Sequence, residues 1–258
     1  MIDRQHIVIV GGGFSGTALA VHLLRLAHAK LDVTLVEAGS RVGRGIAYGT
    51  SFDDHVLNTR ACQMSLLPDA PSDFVEWLER RGIPSAPFDF VPRRLFGEYV
   101  EDTLRAAMAE ADTDSGTFSL RVSERVTRVT RGASTFHVQL ASGASLHADS
   151  VVLAFGQARP SDPLDGMLGP GPRYIRDPWR QDLLAEVAPA DKVLVLGTGL
   201  TMIDTVLTLE SRGHGGSIEA LSRNGLLPRP HSAAPQTLPI DLRNGLLTKV
   251  LGQTRAHA

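Results

Sequence analysis

Cysteine is nearly absent from the sequence. Cys62 is the single one in 258 residues, which excludes an intrachain disulfide, a C-x-x-C redox pair and a cysteine-rich metal site. No block of lysine or arginine stands out and the formal net charge is −2, so nucleic acid is not an expected partner. No apolar run approaches the length of a membrane span. The opening residues lead straight into a short apolar run that ends in glycines, which is not the pattern of a signal peptide. These absences read as a soluble, cytoplasmic chain with neither nucleic acid nor membrane as partner. Signatures of protein-borne chemistry are missing too. There is no G-x-S-x-G, no H-E-x-x-H and no G-x-x-x-x-G-K-S/T, so no metal and no catalytic side chain is assigned.

What remains is an ordinary globular composition, 43% hydrophobic and 21% charged, in a length that suits one large domain or two ordinary ones. The most informative stretch is Ile7-Val8-Ile9-Val10-Gly11-Gly12-Gly13-Phe14-Ser15-Gly16. Four apolar residues make a buried strand. Gly11, Gly13 and Gly16 then fall at G-x-G-x-x-G spacing, and Thr17 to Arg25 follows as a helix with an apolar face. Gly11 permits the tight turn out of the strand, Gly13 lets a pyrophosphate approach the backbone, and Gly16 lets helix and strand pack closely. The helix N-terminus offers free N–H groups to phosphate. A second strand, Leu31–Val36, ends in Glu37, where a carboxylate accepts hydrogen bonds from both ribose hydroxyls of an adenosine. Strand, glycines, helix, strand and acid in that order predict a dinucleotide site in an α/β, Rossmann-like fold.

Downstream of Glu37 the chain is glycine-rich through Gly49 and carries Arg41 and Arg44. That loop leaves the carboxyl edge of the sheet, and its arginines face either phosphate or solvent. His55 sits in a mixed loop with no sequence partner and reads as a surface or structural histidine. Ser72 is a candidate cap for a short helix from Phe74 that Gly82 stops. A longer helix spans about Arg93 to Ala111, with Leu95, Tyr99, Val100, Leu104 and Ala107 near helical spacing. From Thr117 the period changes to two. Phe118, Leu120 and Val122, then Phe136, Val138 and Leu140, then Leu146 after the Ser142-Gly143 turn predict an antiparallel meander inserted in the α/β domain. Ser150 to Gly156 reads as a buried strand that returns to the parallel sheet. Pro160, Pro163, Pro170, Pro172 and Pro178 mark a linker or crossover.

Beyond the linker the opening pattern recurs. Val193–Leu196 reads as a buried strand, Gly197-Thr198-Gly199-Leu200-Thr201-Met202 as a second turn, Ile203–Leu209 as a helix and Ile218–Ser222 as the strand after it. Gly11 and Gly197 begin equivalent turns, and by residue count Arg223 stands where Glu37 stands in the first unit. An internal repeat of a mononucleotide-binding unit is rarely fortuitous. Met202 replaces the third glycine, which moves the second helix slightly off its strand. An arginine in place of an acid pairs with a 2′-phosphate through charge-assisted hydrogen bonds, with Ser222 as a further donor.

Two such turns in one chain resemble the two-dinucleotide-binding flavoproteins. More narrowly, the sequence resembles bacterial FAD/NAD(P)-binding proteins of largely uncharacterised role, distant relatives of flavin-containing and N-hydroxylating monooxygenases. The residues that carry this are Gly11 to Thr17, Gly45-Ile46-Ala47-Tyr48-Gly49-Thr50, Leu57-Asn58 with Met64-Ser65, and Asp73-Phe74 with Trp77-Leu78. They continue with Tyr174 to Trp179, Gly197 to Met202 and Ser222 to Pro228. The resemblance implies FAD at the first turn and NAD(P)H at the second, and it admits a methionine at position 202. It adds Arg44 and Tyr48 to the FAD site and places Asn58 and Met64 near the flavin ring. Val151 to Gly156 resembles the strand-end A-T-G motif between the nucleotide domains, with Phe155 in place of the threonine, so Gly156 joins the candidate site. The implied organisation is an FAD-binding domain over residues 1–165 with the inserted meander, then a partial NAD(P)-binding unit over 166–258. Related flavoproteins carry a later segment that closes over the flavin, so a truncated chain is expected, against the alternative of a naturally short relative.

Two functions fit. In the first, NADPH reduces FAD by hydride transfer and electrons pass to oxygen or another small-molecule acceptor, the cofactors carrying the chemistry. In the second, the chain is a nucleotide-binding module or regulator without turnover, since fold alone never establishes catalysis.

Overall fold

The computed structural model describes residues 4–25, 31–111, 116–156, 161–162, 164, 167, 173–179 and 184–231. The proline-rich linker falls largely outside them: Pro160, Pro163, Pro170 and Pro172 are not among the described residues, whereas Pro178 is. Two compact units are distinguished, 1–227 and 228–258, and everything below concerns the first.

β1 (Gln5–Val10), β2 (Leu31–Val36), β3 (Phe118–Arg121) and β7 (Ser150–Leu153) form a parallel sheet in the order β3-β2-β1-β7. β1 is central, with Val10 beside Val36 on one side and Leu153 on the other. Its continuous apolar run serves two faces. Ile9 packs with α1 (Phe14–Arg25), α2 (Asp73–Arg80) and α3 (Arg93–Glu110). Val8 packs with Val138, Leu140 and Ala148 of the antiparallel sheet made by β4 (Val126–Arg131), β5 (Phe136–Leu140) and β6 (Ser145–Ala148). A parallel sheet covered on both faces needs this residue pattern. The α/β class, the inserted meander and the return of Ser150–Leu153 to the parallel sheet are as the sequence predicts.

Three expectations are corrected. The strand at 150–153 is not buried: Leu153 is 60% exposed, and Phe155 beyond it 65%. Phe118–Arg121 is not the first strand of the meander: it lies parallel beside β2, Leu35 opposite Leu120. Period-two alternation records one buried face and is silent on the direction of the partner strand. The meander instead begins with Val126–Arg131, read V-T-R-V-T-R, whose register slips between Val126 and Arg128. That bulge breaks the alternation that would have revealed it. Nor does Ser72 cap α2 with its side chain. Its hydroxyl is turned to Glu76 Oε1 at 2.7 Å. Gly82 does stop that helix, at φ +65°, with Ile83 N–H donating to the Leu78 carbonyl at 3.0 Å.

Among the described residues, Tyr99 is the largest fully buried side chain. Its hydroxyl donates to Asp73 Oδ2 at 2.8 Å and accepts from Leu66 N–H at 3.2 Å. Burial pushes the phenol up to about 12, with the Asp73 carboxylate adding to the rise and the Ser65 and Leu66 hydrogen bonds opposing it. A raised phenol favours the fold below pH ~10, and that contribution fades as pH rises from about 10 to 12. In an alkaline titration read by tyrosinate absorbance, one tyrosine should therefore ionise only as the chain unfolds, and Tyr99→Phe should remove that step.

Candidate functional site

The strand ends converge on the first glycine turn. Gly11 has φ +103°, and its N–H donates to the Val36 carbonyl at 2.8 Å. A Cβ there would overlap the Ala154 carbonyl and stand 2.7 Å from Phe155 Cα. A Cβ at Gly16 would overlap the Gly11 carbonyl oxygen, so α1 lies directly on the turn. Gly13 faces another glycine: its Cβ position is 3.6 Å from Gly45 Cα. The wall above the turn is thus bare backbone on both sides. Phe14, Ser15 and Gly16 open α1 with amides that have no intrahelical acceptor, and Ser15 is exposed. Backbone N–H groups, a positive helix end and no side chains in the way fit a pyrophosphate.

Glu37 closes one end of this cradle. Its Oε2 accepts from Gly12 N–H at 2.7 Å and its Oε1 from Gly39 N–H at 2.6 Å. Each oxygen keeps a lone pair for a hydroxyl. The loop after Glu37 folds back over the turn through Thr17, which sequence reading left as an ordinary helical residue. Thr17 is fully buried, donates to the Gly12 carbonyl at 3.0 Å and accepts from Gly43 N–H at 3.1 Å. Gly43 itself has φ +81° and its Cβ position is 3.0 Å from Val100. The glycine-rich composition of the loop was the available signal for this fold-back.

The remaining candidates of the first site are distributed. Arg44 is turned to α3, with its Nη2 3.3 Å from Glu101 Oε2, and its side chain is only 12% exposed. It is held by carboxylates here, not presented to the cradle. Tyr48 lies edge-on to Phe14 and Phe96, with ring centroids 5.9 and 4.9 Å away. Burial pushes its phenol up, partly offset by the positive charge of Arg93. Asn58 is exposed, its Oδ1 3.4 Å from Arg93 Nη2. Met64 is half-buried and its sulfur accepts from Thr59 Oγ1 at 2.9 Å. Gly156 stands past β7 at φ +75°, exposed.

A second turn, at 197–201, follows the same strand–turn–helix order, with open space around Gly197 and Gly199 where backbone crowds Gly11. β8 (Val193–Leu196) pairs in parallel with β9 (Ile218–Leu221), and α4 (Leu200–Ser211) follows the turn. The expected burial of β8 is corrected: Leu194 is 60% and Leu196 42% exposed. Gly197 has φ +115° and donates to the Leu221 carbonyl at 2.7 Å, as Gly11 does to Val36. Gly199 precedes α4 without a capping side chain, and Leu200 and Thr201 are exposed at its start. Met202 is buried at 7% exposure, in the slot where Gly16 admits no Cβ.

The strand register corrects the residue count. Val10 is opposite Val36, and Leu196 is opposite Leu221. Ser222, not Arg223, is therefore the counterpart of Glu37. Its Oγ accepts from Gly225 N–H at 3.0 Å, much as Glu37 accepts from the Gly39 amide, and lies 2.9 Å from Thr198 Oγ1, whose hydroxyl also reaches the Leu226 carbonyl at 2.6 Å. Arg223 is the next residue out. It is exposed and makes no hydrogen bond or ion pair among the described residues.

A joint that the sequence did not disclose ties α4 to the first half. His55 is 3% exposed. Its Nδ1 is 2.7 Å from Thr50 Oγ1, and its Nε2 is 2.9 Å from both the Asp204 carbonyl and Thr208 Oγ1. Arg93 Nη1 pairs with Asp204 Oδ2 at 2.7 Å, the side chains 11% and 8% exposed. Arg93 Nε also donates to the Val56 carbonyl at 2.8 Å. A small crevice beside the joint is lined by His55, Thr201, Asp204, Pro178 and Trp179. Among the described residues, no cluster of three potential metal ligands occurs and no helix is long and apolar enough to cross a membrane.

The profile of a family described as FAD-NAD(P)-binding matches residues 8–158. No curated protein matches the chain. Among solved structures, an ornithine N-hydroxylase from Kutzneria sp. 744, determined with reduced FAD, NADP+ and L-ornithine, is 17% identical. It has a TM-score of 0.61 over 99% of this chain and 63% of that one. A flavin-containing monooxygenase from Stenotrophomonas maltophilia is 17% identical, with a TM-score of 0.53 over 85% of this chain and 58% of its own length. A cyclohexanone monooxygenase is 18% identical, with a TM-score of 0.52 over 85% of this chain and 40% of its own. At these identities the likeness is one of fold, and the chain spans less than two thirds of each of these structures.

Proposed function

We propose, on the premise that the chain belongs to the FAD-NAD(P)-binding family, that it is part of a flavoprotein oxidoreductase. A hydride passes from NADPH to FAD when both are bound, and the electrons go on to oxygen or another small-molecule acceptor. The observation that carries this reading is the duplicated turn, with the same glycine amide bonded to the neighbouring strand end at Gly11 and at Gly197. The structurally similar monooxygenases supply the analogy for oxygen as acceptor. The division at residues 165 and 166 into an FAD half and an NAD(P) half follows the same logic.

In this reading Gly11, Gly13, Phe14, Ser15 and Gly16 hold the FAD pyrophosphate by backbone amides, and Glu37 receives the adenosine ribose. Tyr48 shapes the wall of the site, and Asn58 and Met64 stand towards the flavin end. Gly197 to Thr201 repeat the phosphate cradle for NADPH. The purified chain should be yellow and bleach with NADPH under anaerobic conditions. A colourless chain that binds nucleotide supports the module without turnover instead. Glu37→Ala should weaken FAD retention by about 1–3 kcal/mol, because ribose hydroxyls lose their acceptors. Flavin absorbance after gel filtration measures it, and undiminished retention removes Glu37 from the site.

The preference for NADPH rests on Ser222 and Arg223. An uncharged hydroxyl occupies the position of the acid, so nothing there repels a 2′-phosphate, and the unpaired guanidinium of Arg223 stands one residue further out. Arg223→Ala should weaken NADPH binding about tenfold and leave NADH nearly unchanged. Equal wild-type affinity for the two nucleotides removes the argument.

A further inference from the structure

His55 belongs to neither nucleotide cradle, yet it is among the most buried polar residues. Its hydrogen bonds can be assigned. The Thr208 hydroxyl donates to the Asp204 carbonyl at 2.8 Å, so neither acceptor facing His55 Nε2 offers a proton to it. Nε2 therefore carries the hydrogen and donates to the Asp204 carbonyl. Nδ1 stands 2.7 Å from the Thr50 hydroxyl oxygen. Every polar atom of the ring is used, and the bonds span 149 residues of sequence.

The two ends of this connection matter. On one side lies the loop 50–58, which ends at Asn58. On the other lies the first half of α4, with Asp204 five residues after Gly199 in the second cradle. Arg93 fastens the same two pieces a second time, through Val56 and Asp204. In low dielectric these contacts are directional and not exchanged for water cheaply.

We propose that His55 is a positioning residue that fixes α4, and with it the second phosphate cradle, against the loop 50–58 of the first half. It thereby sets the separation across which the hydride passes. The proposal rests on the two-nucleotide reading above. Transfer between two bound cofactors is steeply sensitive to their separation, and a displacement of about 1 Å is enough to cost two orders of magnitude in rate. Each cofactor's affinity, by contrast, is set within its own cradle.

The test uses the full chain with FAD and NADPH. His55→Ala should leave flavin content and the NADPH dissociation constant within about twofold and slow anaerobic flavin bleaching at least tenfold. Glutamine carries an N–H donor on a side chain of similar reach, so His55→Gln should restore most of the rate. Hydrogen exchange reads the joint without flavin chemistry. Amides 200–211 and 50–58 should exchange faster in His55→Ala, with β1 and α1 unchanged. If His55→Ala does not fold, His55→Phe takes its place, since it keeps the ring volume and removes the donor to the Asp204 carbonyl, with the same slowing expected. A wild type that does not bleach, but whose exchange responds to the substitution, sinks the functional reading and leaves the joint. Unchanged exchange overturns the joint. Faster exchange with an unchanged bleaching rate overturns its role in transfer.

Discussion

Asp204→Ala should lower the stability of the chain by about 3–5 kcal/mol, one of the largest effects expected of any substitution in α4. The residue looks replaceable in sequence, an aspartate on an amphipathic helix. In the structure its carboxylate meets Arg93 at 2.7 Å, with both side chains close to fully covered. Removing one partner of a buried pair strands the other charge away from water, and that penalty exceeds the net worth of the pair itself. Removing both charges should therefore cost less than removing either. In Arg93→Met with Asp204→Leu, part of the stability should return. Recovery is incomplete because the Val56 carbonyl loses the Arg93 Nε donor. Urea unfolding of the two single variants and the double variant gives the coupling directly. A loss under 1 kcal/mol for Asp204→Ala would show that water reaches the pair and that it behaves as a surface contact.

Gly16→Ala is expected to be nearly as damaging, at about 3 kcal/mol, and to abolish flavin retention as well. Alanine is the better helix former by about 1 kcal/mol, and position 16 lies inside α1, so propensity alone favours the substitution. Geometry opposes it. The added methyl would overlap the Gly11 carbonyl, which is itself fixed between β2 and Ala154, and would crowd Ile9 at 3.2 Å. Backbone on one side and core on the other leave no flexible side chain to give way, so overpacking dominates. The helix must move off the strand, and the amides of Phe14 and Ser15 move with it. Thermal unfolding and flavin absorbance on the same sample measure both consequences. A variant that melts like the parent and stays yellow would show that α1 is less tightly seated than these distances imply.

The repeat was legible because glycines at turns have backbone causes that sequence displays. Gly11 and Gly197 are forced by positive φ, and Gly16 by contact with a carbonyl. The meander was half legible: Phe136, Val138 and Leu140 alternate, whereas β4 hides its register behind a bulge. Residue counting misplaced the acid's counterpart by one, because the second repeat reaches the end of β9 one residue sooner than the first repeat reaches the end of β2. Only strand pairing shows that Ser222 takes the place of Glu37. The joint of His55, Arg93 and Asp204 was illegible for a different reason. Its members lie far apart in sequence, each is common at a protein surface, and nothing local marks any of them as buried.

The crevice beside that joint has an optical consequence. The chain has two tryptophans. Trp77 is 6% exposed and packs against Tyr99 in the helical layer of the first half. Trp179 is half-buried, lines the crevice with His55 and Thr201, and so borders the second cradle. Their emission separates the two regions. Trp77 is fixed by its N–H to Asp102 Oδ2 at 3.1 Å and by the Arg81 guanidinium 4.6 Å from its ring centroid, and follows the unfolding of the first core, whereas Trp179 answers to what enters or leaves the space beside α4. With Trp77→Phe the chain becomes a single-tryptophan reporter of that space. Nucleotide titrations and slippage of α4 can then be followed in real time, without a dye and without waiting for turnover.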